Sequence, residues 1–451
     1  MSRNLAFVLL AALIAIHMGL AFGFASLTPY RTGGAVNGAY AKDIGAPDER
    51  QHANYIARLQ RGEGFPTFDP KDPDLYETYQ SHQPPLYYLV ASGFASAVGA
   101  RDLGAAEDGQ RMRWLNLVFG GLTVLGVFML ATWVYTKPEI AVTAAAIAAL
   151  LPMNAALSGA ISNDPLLITL CTWSLALLAK FLKSGGTWEP WVAAVLVGLA
   201  LLTKTTALAL VPVLIYACAM AKSKQRMTTL AGCLVLALAI PSWWWVRNTQ
   251  LYGDPFALKA FNDAFQGSAQ KAFFISEIIP RTSPGQNPEL VYWTQWVLWW
   301  TARSFVGVFG YMDIWLTDSG SPTGYSGLYM VILGVLGVGA VAFLPAAFDN
   351  EHKKTGDATL IQVAFTLLIV LLFVRFNTTY FQAQARYLLP ALGPIAVGIA
   401  LGWAHLLKKR PLVPLALFVV LLLGANAFAF AKLPSEFAKR IDIGRRLQTG
   451  Q

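Results

Sequence analysis

The sequence predicts an all-α, polytopic integral membrane protein of about eleven transmembrane helices, with further helices lying along the membrane surface. Three observations carry that prediction. Charged residues make up 13% of the chain and hydrophobic residues 55%, whereas a soluble domain usually carries about a quarter charged residues. Apolar runs of roughly eighteen residues or more recur along the chain, each long enough to cross a bilayer as a helix. The basic residues behind the net charge of +9 sit in short loops between those runs. In that position they read as membrane topology and not as a nucleic-acid surface.

Taken in order, the apolar runs place spans near 5–27, 114–135, 139–158, 164–182, 188–203, 204–221, 227–246, 327–346, 358–375, 386–406 and 412–431. The first is too long for a signal-peptide core and lacks a cleavage site, so it is expected to stay as a span. Two further stretches, 84–100 and 291–312, are expected to lie at the surface. The first is short and opens on Pro84-Pro85; the second carries Arg303 and four tryptophans, Trp293, Trp296, Trp299 and Trp300, an interfacial signature. With the amino terminus inside, the basic loops at 179–186, 221–227, 349–356 and 405–411 all fall on the cytoplasmic side. Letting only 84–100 span would move the basic loops up to 227 to the opposite face. The chain is therefore expected to be one membrane domain, 1–451, of the cytoplasmic (inner) membrane, with extracytoplasmic loops at 29–113 and 247–325. Cys171, Cys218 and Cys233 lie inside expected spans, far from His and from each other, without disulfide or zinc spacing.

This topology gathers the polar motifs on the extracytoplasmic face. The first loop holds "GAPDERQH" (45–52), with Asp48 and Glu49 adjacent and about 100° apart on a helix, too divergent to share a proton. His52 falls four residues after Asp48 and three after Glu49, so it reaches the same helical face. Glu77 and His82 precede the rigid Pro84-Pro85 turn. Carboxylate and imidazole suit a divalent cation, but the spacing fits no standard metal motif. A solvated loop with charges capping surface helices explains the same residues equally well.

The cations on that face narrow the choice. Lys204 sits between two apolar runs, where an ammonium is costly unless paired, wet or snorkelling to the interface. Arg247 and Arg386 stand at the membrane boundary on the same side. One such arginine is an ordinary anchor, but several converging cations suit a phosphate held at headgroup depth. Asp164, ahead of Pro165, reads foremost as a helix cap. An acid for activating an acceptor and cations for a phosphate leaving group together point to glycosyl transfer from a lipid-phosphate sugar.

Six segments then carry a resemblance: "PDERQHANYIARLQRGEGFP", "SHQPPLYYL", "SNDPLL", "LTKTTALALVP", "WWWVRNTQLYGDP" and "QARYLLPAL". In this order along one topology they resemble the polytopic C-type glycosyltransferase superfamily, with bacterial relatives of protein O-mannosyltransferases and lipid A aminoarabinose transferases nearest. The resemblance implies a polyprenyl-phosphate sugar donor, an extracytoplasmic active site, and a lipid, glycan or protein acceptor. It implies an acidic residue in the first loop as base, matched here by Asp48, with Glu49 in reserve. A divalent cation assists some members, so a cation is carried as a candidate cofactor with no ligand assigned. Aminoarabinose transferases have a phosphate-contacting lysine where this chain has Gln83, which shifts the phosphate role to Lys204, Arg247 or Arg386. His52, Glu77 and His82 are expected to organise the acceptor or a cation. The alternatives are a transporter or flippase of lipid-linked cargo, and a non-catalytic membrane protein of envelope assembly.

Overall fold

The computed structural model describes residues 1–222, 225–266, 270–317, 327–349 and 356–450. Lys224 and Lys353, in two of the basic loops, lie outside the described residues. Helices dominate. Among the described residues eight are long and apolar enough to cross a membrane, and nine if Pro138–Leu150 and Pro152–Ser158, bent by 61° at Leu151, form one broken span. Pro152 explains the break, since it has no N–H to continue the helical ladder. The spans expected at 188–203 and 204–221 are shorter helices, Glu189–Leu201 and Thr205–Met220. By length and composition the described residues thus give eight or nine spans, and the expected eleven is not confirmed.

The Asp164–Ser184 helix is the axis of the bundle: 89% of its apolar window is buried. It packs against Ala106–Val134, Glu189–Leu201 and Gly356–Asn377. Beside it, the alanine-rich Pro138–Leu150 helix is buried at every residue from Ile140 onward. Small side chains let neighbouring backbones close in where no hydrophobic drive separates helix from lipid. Gly402 shows the limit: a Cβ there would stand 2.0 Å from the Gly339 carbonyl oxygen. The Leu392–Leu406 and Gly327–Ala347 helices could not pack so closely around an alanine.

The stretch expected at 84–100 is the twelve-residue helix Leu86–Ala97, too short to span. The 291–312 stretch forms helical turns from Pro288 to Val306 and then a small hairpin, Val308–Phe309 with Ile314–Trp315. The last expected span does not stop at 431. Val413–Thr449 is one helix of 37 residues, about 55 Å long, so it outruns an apolar core of about 30 Å. Its distal turns cover the first-loop hairpin Gly34–Val36/Ala39–Ala41. There Arg440 pairs with Asp313 at 3.0 Å and Glu436 at 2.8 Å. First loop, later hairpin and C-terminal helix are thus tied together at one end of the bundle. Cys218 and Cys233, both free and buried, lie on two helices that pack against each other.

Candidate active site

The site starts from the backbone at Asp48. With φ 63° and ψ 0°, this residue is left-handed, a conformation that Asp and Asn tolerate better than most side chains. It stands immediately before the Glu49–Gln60 helix, yet its carboxylate makes no capping bond to that helix. The carboxylate is given to other partners. Oδ2 lies 2.7 Å from Arg386 Nη2, and Oδ1 accepts from the Tyr79 hydroxyl. Burial alone would raise the Asp48 carboxyl, but the Arg386 charge leads the opposing influences and holds it below the usual carboxylate range. Its side chain keeps 16% exposure, so one edge is reachable.

A second ion pair stands beside the first. Lys204, brought in by an extended residue ahead of the Thr205–Ala209 turn, places Nζ 2.6 Å from Asp164 Oδ1. Arg386 also acts electrostatically on Asp164, so the two pairs form one unit of two acids and two bases. Asp164, expected as a cap, is the partner that makes Lys204 tolerable at a span boundary. Arg386 retains capacity: its Nε is buried without a hydrogen-bond partner among the described residues. Tyr387 borders both cations, 5.5 Å from Lys204 and 5.2 Å from Arg386 at its ring centre.

The histidines line this unit in neutral form. His52 is buried, its Nδ1 2.8 Å from the Tyr88 hydroxyl and its ring stacked on Tyr88. Burial lowers it to about 4. His82 is likewise lowered to about 4 by burial. Its Nδ1 donates to the Tyr79 carbonyl at 2.7 Å, leaving Nε2 to accept from Gln83 Nε2 at 3.1 Å. Gln83 Oε1 in turn accepts from Asn163 at 3.4 Å, and Asn163 also donates to the Thr203 carbonyl at 3.4 Å. The motifs "SHQPP", "SND" and "TKTT" are thereby one hydrogen-bonded group.

Three expected residues stand elsewhere. Glu49 points away from Asp48 into a buried bidentate pair with Arg113, at 2.7 and 2.6 Å, and also accepts from the Ile161 N–H at 2.8 Å. Both its oxygens are spent, and it anchors the loop to the bundle. Arg247 donates to the Pro66 carbonyl at 2.8 Å and lies 4.6 Å over Trp244. It has no contact with the two ion pairs among the described residues and fastens the 65–68 segment instead. Glu77 accepts from Asn54 at 2.8 Å and stands 3.6 Å from Arg50 and 3.5 Å from Lys42. It braces the first loop.

The donor set does not fit a divalent cation. Asp48 and Asp164 each face a fixed cation within 2.7 Å, so a metal would have to displace Lys204 or Arg386. No cluster of three or more metal-ligating side chains occurs among the described residues. Two residues escaped sequence reading altogether. Tyr79 donates to Asp48, and Tyr311, from the 308–315 hairpin turn, lies close enough to act electrostatically on Tyr79 and Asp48. Only the hairpin's fold brings Tyr311 there.

This architecture, with its polar unit at one end of a helical bundle, is similar in fold to solved structures of a membrane oligosaccharyltransferase. Residues 82–245 match the family model for dolichyl-phosphate-mannose-protein mannosyltransferase. Among solved structures, the chain is similar to the oligosaccharyltransferase of Archaeoglobus fulgidus. The form complexed with Zn and sulfate gives TM-score 0.55 and 16% identity over 94% of this chain and 53% of that one. The form with an inhibitory peptide and a dolichol-phosphate, AglB, gives TM-score 0.53 and 14% identity over 94% and 56%. The chain thus spans about half the length of these relatives. ArnT from Cupriavidus metallidurans overlays more loosely, with TM-score 0.41 and 16% identity over 93% and 77%. No curated protein matches by sequence.

Proposed function

We propose that this chain is a membrane glycosyltransferase that moves a hexosyl or pentosyl group from a polyprenyl-phosphate donor to a lipid, glycan or protein acceptor of the cell envelope. The observation that carries the reading is the pair of ion pairs Asp48–Arg386 and Asp164–Lys204. Two cations flank one partly reachable carboxylate, which is what transfer from a phosphate ester needs. Each cation is held by an acid. An entering donor phosphate competes for Arg386, whose Nε is still unpartnered, and for Lys204.

As Arg386 turns to the phosphate, the Asp48 carboxylate is released to accept the acceptor's proton. The bond from the anomeric carbon to the phosphate oxygen breaks, its electron pair staying on the phosphate, while the acceptor's oxygen or nitrogen bonds to that carbon. Lys204 and Arg386 stabilise the growing phosphate charge, and Asp48 acts as general base. The neutral His52 and His82 shape the site without adding charge.

The reading requires this end of the bundle to face away from the cytoplasm in the inner membrane, where a lipid-borne donor replaces nucleotide sugars. Reporter fusions test it. Fusions at Lys183 and Lys409 should report a cytoplasmic location, and one at Pro70 should not. A cytoplasmic signal at Pro70 would put Asp48 on the wrong side and end the proposal.

A further inference from the structure

A cavity of about 630 Å³ opens beside the Glu49–Gln60 helix, at the end remote from Asp48. Its lining includes Arg31, Arg61 and Arg101 with the polar side chains of Asn54, Gln60 and Ser96. Three guanidiniums face one lining carboxylate, Asp102. The walls are held in place. Asp108 accepts from the Arg101 and Asp102 N–H groups, each at 2.8 Å, and Gln60 donates to the Ala100 carbonyl at 2.8 Å. Arg31 is held by Asn54, and Arg61 by Glu63. Arg101 differs from both: its guanidinium has no partner among the described residues, although the loop beneath it is pinned.

A fixed polar cavity with a net excess of guanidinium and one uncommitted fork is suited to phosphate, whose oxygens accept from several N–H donors at once. Gln60 Oε1, buried without a partner among the described residues, suits a sugar hydroxyl. Position gives the cavity its meaning. Asn54 is six residues from Asp48 and Gln60 twelve, about 9 and 18 Å along one helix. One rigid helix therefore separates the proposed base from this cavity by about 9–18 Å.

We propose that this cavity is the acceptor subsite and takes a sugar carrying a phosphate group. Its role as an acceptor subsite rests on the glycosyl-transfer reading; its chemistry does not. A phosphate-bearing sugar seated there would project another hydroxyl along the helix toward Asp48.

The test is a binding measurement on the full-length protein in phosphatidylcholine nanodiscs, with glucose 6-phosphate and glucose as probes. Glucose 6-phosphate should bind at least tenfold more tightly than glucose. Arg101→Glu should weaken glucose 6-phosphate at least tenfold, and Arg101→Lys should recover part of that loss. Because Arg101 is exposed and its guanidinium has no partner among the described residues, an unchanged melting temperature is expected and separates lost binding from lost folding. Farnesyl phosphate, a probe for the Asp48 end, should not displace glucose 6-phosphate. Equal affinity for the two sugars, indifference to Arg101→Glu, or displacement by farnesyl phosphate would each overturn the proposal. So would loss of glucose 6-phosphate binding in phosphatidylglycerol nanodiscs, which would assign the cavity to a lipid headgroup. Turnover is not the readout, so failure here leaves the transferase reading standing, and failure of that reading leaves this result interpretable.

Discussion

Arg386→Ala removes the cation that both restrains Asp48 and, on this account, receives the donor phosphate. Two effects follow. A charge-assisted contact to phosphate contributes about 1.5–3 kcal/mol, or roughly ten- to a hundredfold in affinity. Binding of a polyprenyl phosphate should fall by that factor, while binding of the matching polyprenol should change little. The second effect is on protonation. Burial is the largest influence on Asp48, and Arg386 is the first of the groups that overcome it. With Arg386 present the carboxyl stays below its usual range, so Asp48 is ionised throughout pH 5–8 and contributes no acidic limb there. Without it, burial is less opposed, the carboxyl rises, and an acidic limb in the pH–rate profile moves upward toward neutrality. Arg386→Lys should restore part of the phosphate preference, since charge survives but the guanidinium fork does not. The assay pairs donor binding in nanodiscs with turnover from pH 4 to 8. Equal losses for phosphate and alcohol, with an unmoved pH profile, would refute the reasoning and leave Arg386 a structural anchor.

One further substitution and one change of condition separate structure from chemistry. Glu49→Gln leaves the fully buried Arg113 without its counter-charge, a change that costs about 3–5 kcal/mol in buried pairs; a clear drop in melting temperature is expected, and an unchanged melting temperature with lost turnover would return Glu49 to the chemistry. His52 and His82 are held neutral, each lowered by burial to about 4 from an ordinary value of 6.5. The unfolded chain then binds more protons between those values, so stability should be flat above pH 7 and fall as pH drops from about 6.5 toward 4. Melting temperatures that rise across that interval on acidification would show the histidines to be charged in the folded protein.

Much of the fold was legible because apolar length and basic loops follow from the bilayer itself. The broken span at Pro152 and the Asp164–Ser184 axis sit where the hydropathy pattern put them. The run-on of the last helix past 431 was not legible, since "KLPSEFAKRIDIG" is polar and is held in line by packing on the 34–41 hairpin and by the Arg440–Asp313 pair. In the site, Asp48, Lys204 and Arg386 were singled out as charges at membrane boundaries, and the structure brings these three together. Asp164 was masked by its place before Pro165, which suits a cap equally well. The signal was available: Lys204 sits between two apolar runs at the same face, where a cation needs an acid. Arg247 looked equivalent to Arg386 in sequence. Its separation from the site follows from where the Phe65 and Pro66 carbonyls lie, which no local pattern encodes. The same holds for Glu49, whose partner Arg113 is 64 residues away.

The central claim is that Asp48 serves as the base beside a phosphate held by Lys204 and Arg386, and Asp48→Asn tests it most directly. The amide keeps the shape and can still accept from Tyr79, but it cannot take up the acceptor's proton. Purified protein should be measured for both donor binding and turnover with a polyprenyl-phosphate sugar. The account predicts turnover lower by about a hundredfold or more, the range for losing a general base. Polyprenyl-phosphate binding should be retained or strengthened, because Arg386 is freed from its acid. Full turnover by the Asp48→Asn protein would contradict the account.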